Sequence, residues 1–172
     1  MRDERLRFDA DRNLITLGDR RLVFHCHHYN LFLQRTIEDG LGLEAAHSLQ
    51  VAAGMEATRQ MLSSLFAGDD SATYADKLEV AKRIFAATGF GQADLAALTP
   101  QGGAVRLDLS HYAIGWKSKW GDSKHPVCHY PTGFWMGALS AATGLAPERL
   151  QGRELSCAAS GSVFCELAIE VL

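Results

Sequence analysis

The chain has 172 residues, 47% of them hydrophobic and 22% charged, the balance of one compact unit spanning 1–172. No window holds the roughly 18 consecutive apolar residues of a membrane helix, which speaks against a membrane protein. A net charge of −3 and a pI near 6.1 speak against a nucleic-acid surface. The first seven residues mix both charge signs and precede no apolar run, so they read as no secretory signal and the location as cytoplasmic. In that reducing compartment Cys26, Cys128, Cys157 and Cys165 read as thiols or metal ligands rather than disulfides.

Residues 4–25 read as short strands, with 14–17 and 21–24 forming a hairpin about Gly18-Asp19. From Tyr29 the apolar period becomes helical, with Tyr29, Leu33 and Ile37 on one face up to Gly40. A longer helix spans about 43–66 with Val51, Met55, Thr58, Leu62 and Leu65 facing inward, ending at Gly68-Asp69-Asp70. A third begins at the capping pair Thr73 and Asp76 and turns Tyr74, Leu78, Ala81 and Phe85 to one side. Strands at 93–98 and 104–109 form a hairpin about Pro100-Gln101-Gly102-Gly103, followed by an aromatic segment, 110–120, and a polar loop, 121–126. A short helix over 134–143 stops at Gly144. Two last strands turn at Ser160-Gly161, the second alternating Val163, Cys165, Leu167, Ile169 and Val171 against polar neighbours. The fold class is α+β, antiparallel hairpins packed on a helical layer.

Three segments carry chemistry. Three thiolates and a carboxylate, from Cys128, Glu154, Cys157 and Cys165, can complete a tetrahedral zinc shell. Residues three apart in a regular strand point to opposite faces, so Glu154 and Cys157 share an ion only if the strand twists, bulges or ends near Ser156. The plain alternative is three buried small apolar residues and a surface glutamate. The run His25-Cys26-His27-His28 sits where a strand passes into a helix. It reads either as a polar helix start or as a site for a metal, haem, ligand or proton transfer. His111 and Trp116 lie in the aromatic segment as pocket lining or core packing. His47 reads as a packing residue, and Glu38-Asp39 and Asp69-Asp70 as helix ends rather than paired catalytic carboxylates.

The C-terminal residues carry a family resemblance. Pro126-Val127-Cys128, Gly133-Phe134 and the run from Arg153 to Cys165 resemble the 4-vinyl reductase domain, whose ending Glu-x-x-Cys-x-x-x-Gly-x-x-x-Cys is matched by Glu154, Cys157, Gly161 and Cys165. The match covers about 104–172, and residues 1–103 follow in outline. The resemblance implies an α/β ligand-binding fold similar to the transport-particle subunits of the Golgi. It also implies zinc at Cys128, Glu154, Cys157 and Cys165, frequent dimers, and, from the phenol-sensor branch, an aromatic pocket that His111 or Trp116 would serve. The stretch 129–135 departs from the Gly-Tyr-Ala-Ser-Gly run of the phenol sensors, so pocket specificity need not carry over.

Two functions follow as expectations. One is a small-molecule-binding homodimer with structural zinc. Its buried pocket, lined by His25, His27, His28, His111 and Trp116, would hold an aromatic, hydrocarbon or tetrapyrrole-like ligand. The other is an enzyme that uses the histidines with haem or a second metal, for example in a reductase-like role. The chain has no GxGxxG after a strand, so such a role needs an outside electron source. An assembly subunit is a third reading that leaves the histidine cluster without a use.

Overall fold

The computed structural model describes residues 6–18 and 20–172. Residues 1–5, on which much of the N-terminal reading rests, and Asp19 of the hairpin turn lie outside the described residues. A small antiparallel sheet of β1 (Leu6–Asp9), β2 (Leu14–Leu17) and β3 (Arg20–Leu22) opens the chain. The helices α1 (His27–Leu41), α2 (Leu43–Phe66) and α3 (Tyr74–Ala87) follow. The second sheet is antiparallel throughout, in the order β4 (Gly91–Asp94), β6 (Gly102–Ser110), β8 (Cys165–Val171), β7 (Leu150–Ser156), with the two-residue β5 (Leu98–Thr99) also paired to β6. Between β6 and β7 come α4 (His111–Trp120) and α5 (His129–Thr143). The architecture is α+β. Among the described residues no helix is long and apolar enough to cross a membrane.

The helix α5 is buried almost from end to end, Trp135, Ala138 and Leu139 completely, as befits a helix that is apolar on all sides. Glycines let it lie directly on α2. A Cβ built at Gly133 would stand 2.2 Å from the Val51 carbonyl oxygen, and one at Gly137 would stand 2.3 Å from that of Met55. The inward face of α2 includes Val51, Thr58, Leu62 and Leu65 as its periodicity predicts. The predicted cap of α3 is present, with the Thr73 hydroxyl accepting from the Asp76 N–H and the Asp76 carboxylate accepting from the Thr73 N–H. Cys165, Leu167 and Ile169 form the buried face of β8.

Several boundaries differ from the sequence expectation. α5 begins at His129, five residues before 134, because Pro131 falls in its first turn, where no N–H is needed, and Gly133 is a contact residue rather than a breaker. The aromatic segment is the helix α4, capped by the Ser110 hydroxyl, which accepts from the Ala113 N–H. The strand expected at 93–98 breaks after Asp94, whose carboxylate accepts from the Ala96 N–H and turns the chain. Val163 is 93% exposed and stands before β8, outside the alternation. In α1 the expected apolar face is on the outside: Tyr29 and Leu33 are exposed, and the buried stripe is Leu31, Gln34 and Glu38. Glu38 lies at the helix end, in the last turn of α1, as expected, but its carboxylate points into the interior, while its neighbour Asp39 pairs with Arg35 at 2.9 Å on the surface.

Candidate metal centre and aromatic pocket

Cys128 caps the N-terminus of α5, Glu154 lies in β7, Cys157 follows that strand, and Cys165 opens β8. The β7–β8 pairing shifts register between Glu154 and Ser156, so Leu155 bulges out, half-exposed, and Glu154 and Cys157 face the same side. That is the irregularity the spacing demanded.

The four donor atoms lie within 4.8 Å of one another. The Cys128 and Cys165 sulfurs are 3.5 Å apart and those of Cys165 and Cys157 are 4.0 Å apart. These bracket the edge of about 3.8 Å that a tetrahedral ion with metal–sulfur bonds near 2.3 Å requires.

The carboxylate supports the same assignment. Glu154 Oε2 accepts from the Cys128 N–H at 2.7 Å, while Oε1 is buried with no hydrogen-bond partner, free to ligate. The sulfurs have donors of their own: the Ala158 N–H points at Cys165 Sγ from 3.2 Å, and Ser110 Oγ lies 3.2 Å from Cys128 Sγ. Burial pushes the Cys128 thiol far up, and burial beside Cys157 lifts the Glu154 carboxyl to about 8. Hydrogen bonds from the Cys128 and Cys165 thiols hold Cys157 down to about 2. Four such donors cannot all ionise in a dry site unaided, and a cation among them removes the conflict. The cluster can hold a metal ion, and its soft sulfur set selects against magnesium or calcium.

The histidines form two pairs rather than one cluster. His27 and His111 open α1 and α4 and meet with their Nδ1 atoms 3.3 Å apart, and the His28 ring lies 5.1 Å from that of His27. His27 and His28 are exposed; His111 is half-buried, and its Nε2 is buried without a hydrogen-bond partner. Burial, and then the nearby His27, hold the His111 imidazole below its ordinary range. His25 stacks on Tyr29 at 4.4 Å. Trp116 is buried elsewhere, against Trp120 and His125 and under the Arg35 guanidinium. The structure thus brings His27, His28 and His111 together and leaves Trp116 in a separate aromatic group.

A cavity of about 210 Å³ lies under the segment joining β3 to α1, walled by Phe24, Phe90, Tyr130 and Phe134 with His25 and Asn30 as polar points. Phe90 packs on Tyr130 at 4.5 Å and meets the His111 ring edge-on at 6.2 Å, so it is a wall shared by the cavity and that imidazole. Sequence reasoning had no signal for Phe90 or Tyr130, since the walls come from elements far apart in the chain. It also read His47 as packing, whereas His47 meets His129 at 3.1 Å, and His129 in turn meets Glu38 at 3.0 Å.

Solved structures share this architecture. The phenol-responsive sensory domain of the transcription activator PoxR, solved with phenol, superposes with a TM-score of 0.76 at 21% identity over 97% of this chain and 85% of that one. The fold is that of the 4-vinyl reductase family. A vinyl-4-reductase family protein from Methanocaldococcus jannaschii shares it with a TM-score of 0.59 at 15% identity, over 88% of this chain and 83% of that one. A trafficking protein particle complex subunit 3 from Naegleria fowleri, covalently bound to palmitic acid, gives 0.57 at 11% identity, over 84% and 91%. No family model and no curated protein matches the sequence. Within the 4-vinyl reductase fold, the bulged β7–β8 hairpin places the donors of the candidate metal centre.

Proposed function

We propose that this chain is a small-molecule-binding protein that holds a single-ring aromatic compound in the cavity under the β3–α1 segment and is stapled by a structural zinc ion at Cys128, Glu154, Cys157 and Cys165. The observation that carries the reading is the cavity itself. Its walls are aromatic, its polar points few, and its volume about 210 Å³. An apolar cavity of about 150 Å³ already holds benzene, whereas drug-sized ligands need roughly 300 Å³ or more, so this volume matches one ring better than a tetrapyrrole. The phenol carried by the PoxR domain is a ligand of that size.

Zinc agrees with a tetrahedral set of three sulfurs and one oxygen. With four protein ligands the ion keeps no open position for water, so its role is to tie the β7–β8 hairpin to the start of α5. Binding is favoured over catalysis by the histidines because His25, His27 and His28 are exposed, outside the water-excluded setting that strengthens catalytic electrostatics. The free thiols suit the cytoplasm. The apolar surface of α1, with Tyr29, Phe32 and Leu33 about half exposed, suits a homodimer contact.

Tryptophan fluorescence and calorimetry with phenol and with simple alkylbenzenes test the reading. Saturable binding lost on Phe90→Ala, with metal content unchanged, supports it. Absence of binding to any single-ring compound, or binding indifferent to Phe90→Ala, rejects it.

A further inference from the structure

A second polar cluster lies in the interior where α1, α2 and α5 meet. The Nδ1 atoms of His47 on α2 and His129 on α5 are 3.1 Å apart. On its far side His129 Nε2–H donates to Glu38 Oε1 at 3.0 Å. Glu38 is itself fixed by the Gln34 amide at 2.9 Å, and the same amide reaches the Val127 carbonyl at 3.0 Å. The Glu38 and His129 side chains are 3% and 6% exposed, and His47 is half-buried.

A buried carboxylate that accepts from one imidazole nitrogen decides the tautomer and leaves a lone pair on the other, the arrangement that orients metal-binding histidines. With metal–nitrogen bonds of about 2.0–2.1 Å, two nitrogens at this separation subtend about 100° at a shared ion, close to a tetrahedral or square cis angle. We propose that His47 and His129 form a second metal site, for a first-row divalent cation of the nickel, copper or zinc class, with Glu38 as its positioning residue.

The charge of Glu38 offsets the positive helix N-terminus on which His129 sits. His47 is half-buried, so the pair is not sealed from water. The His27–His111 pair has a similar separation of 3.3 Å, but its described contacts include no carboxylate to set the tautomer.

The test is to titrate the full chain, carrying whatever metal it is purified with, with Ni²⁺, following heat and the paramagnetic broadening of histidine ring resonances. The site predicts one Ni²⁺ per chain and selective broadening of His47 and His129. His47→Ala should weaken binding at least about tenfold while the content of the original metal and the melting temperature hold, and Glu38→Gln should weaken it by about 10- to 100-fold. His28→Ala should leave it unchanged. No binding up to about 1 mM Ni²⁺, the weak end of specific association, overturns the proposal. So does binding lost with His28→Ala and kept with His47→Ala. Should Glu38→Gln fail to fold, His47→Ala decides, since that side chain is half-buried and the variant is read against its own metal content.

Discussion

The cysteines of the C-terminal hairpin and the histidines at the start of α1 are both dense runs of ligand-forming residues, yet the fold treats them in opposite ways. Glu154, Cys157 and Cys165 come from two strands paired to each other, and a single bulge turns them toward Cys128, so the donors are buried and aimed at one point. His25, His27 and His28 follow a strand that ends at Leu22. They stand exposed, each with a different neighbour: Tyr29 for His25, His111 for His27, and the His27 ring for His28. Closeness in sequence makes a site only where sheet register or a packed helix fixes direction. On the proposed reading the C-terminal region acts as a metal staple and the N-terminal one as a cover over the cavity.

If the comparison holds, the largest effect belongs to the staple. Cys157→Ala should release the metal and destabilise the domain by about 4 kcal/mol or more, because binding free energy at a structural site is folding free energy. Metal analysis together with thermal unfolding checks this, and a variant that melts like the parent with its metal gone would break the distinction between the regions.

Next comes the helix contact beneath the staple. Gly133→Ala puts a methyl against the Val51 carbonyl and should lower stability by about 3 kcal/mol, measured by denaturant unfolding. The cover should respond differently. Phe90→Ala is expected to weaken aromatic binding by tenfold or more, about 1.4 kcal/mol, with the metal retained, as read by calorimetry and metal content. A loss of metal in that variant would show that the two regions are not independent.

Capping is a smaller term. Thr73→Ala removes both hydrogen bonds of the Thr73 side chain with Asp76 and should lower stability by about 1 kcal/mol, seen as a shifted unfolding midpoint.

The smallest effect is on pH dependence. Burial holds His111 and His47 below 6.5, so the unfolded chain takes up protons there that the folded chain refuses. The stability they confer is present above pH 6.5 and is lost as the pH falls below it. Melting should drop by a few degrees at most on acidification toward pH 5, and His27→Ala, which removes the second cause at His111, should reduce the drop. Calorimetric scans across that range decide it.

Period and spacing alone determine much of this molecule. The inward face of α2, the Thr73–Asp76 cap and the alternation of β8 depend on neighbours a few residues apart, and local geometry relates such neighbours directly. The donor set Cys128, Glu154, Cys157 and Cys165 is instead what the resemblance of the ending to the 4-vinyl reductase domain implies, since spacing alone leaves Cys128 and Glu154, 26 residues apart, unrelated. Other features needed the tertiary structure. The bulge at Leu155 comes from the register β7 adopts against β8. The start of α5 at His129 depends on α2 lying close enough to require Gly133. The inward stripe of α1 sets Gln34 and Glu38 beside Leu31, and Val127 and His129 present a carbonyl and an imidazole to those two polar side chains, so partners nearly a hundred residues away satisfy a face that the apolar period had not assigned to the core. Periodicity measures where apolar side chains recur. It carries no information on which distant polar groups a buried face must satisfy, and that decided both the orientation of α1 and the pairing of His47 with His129.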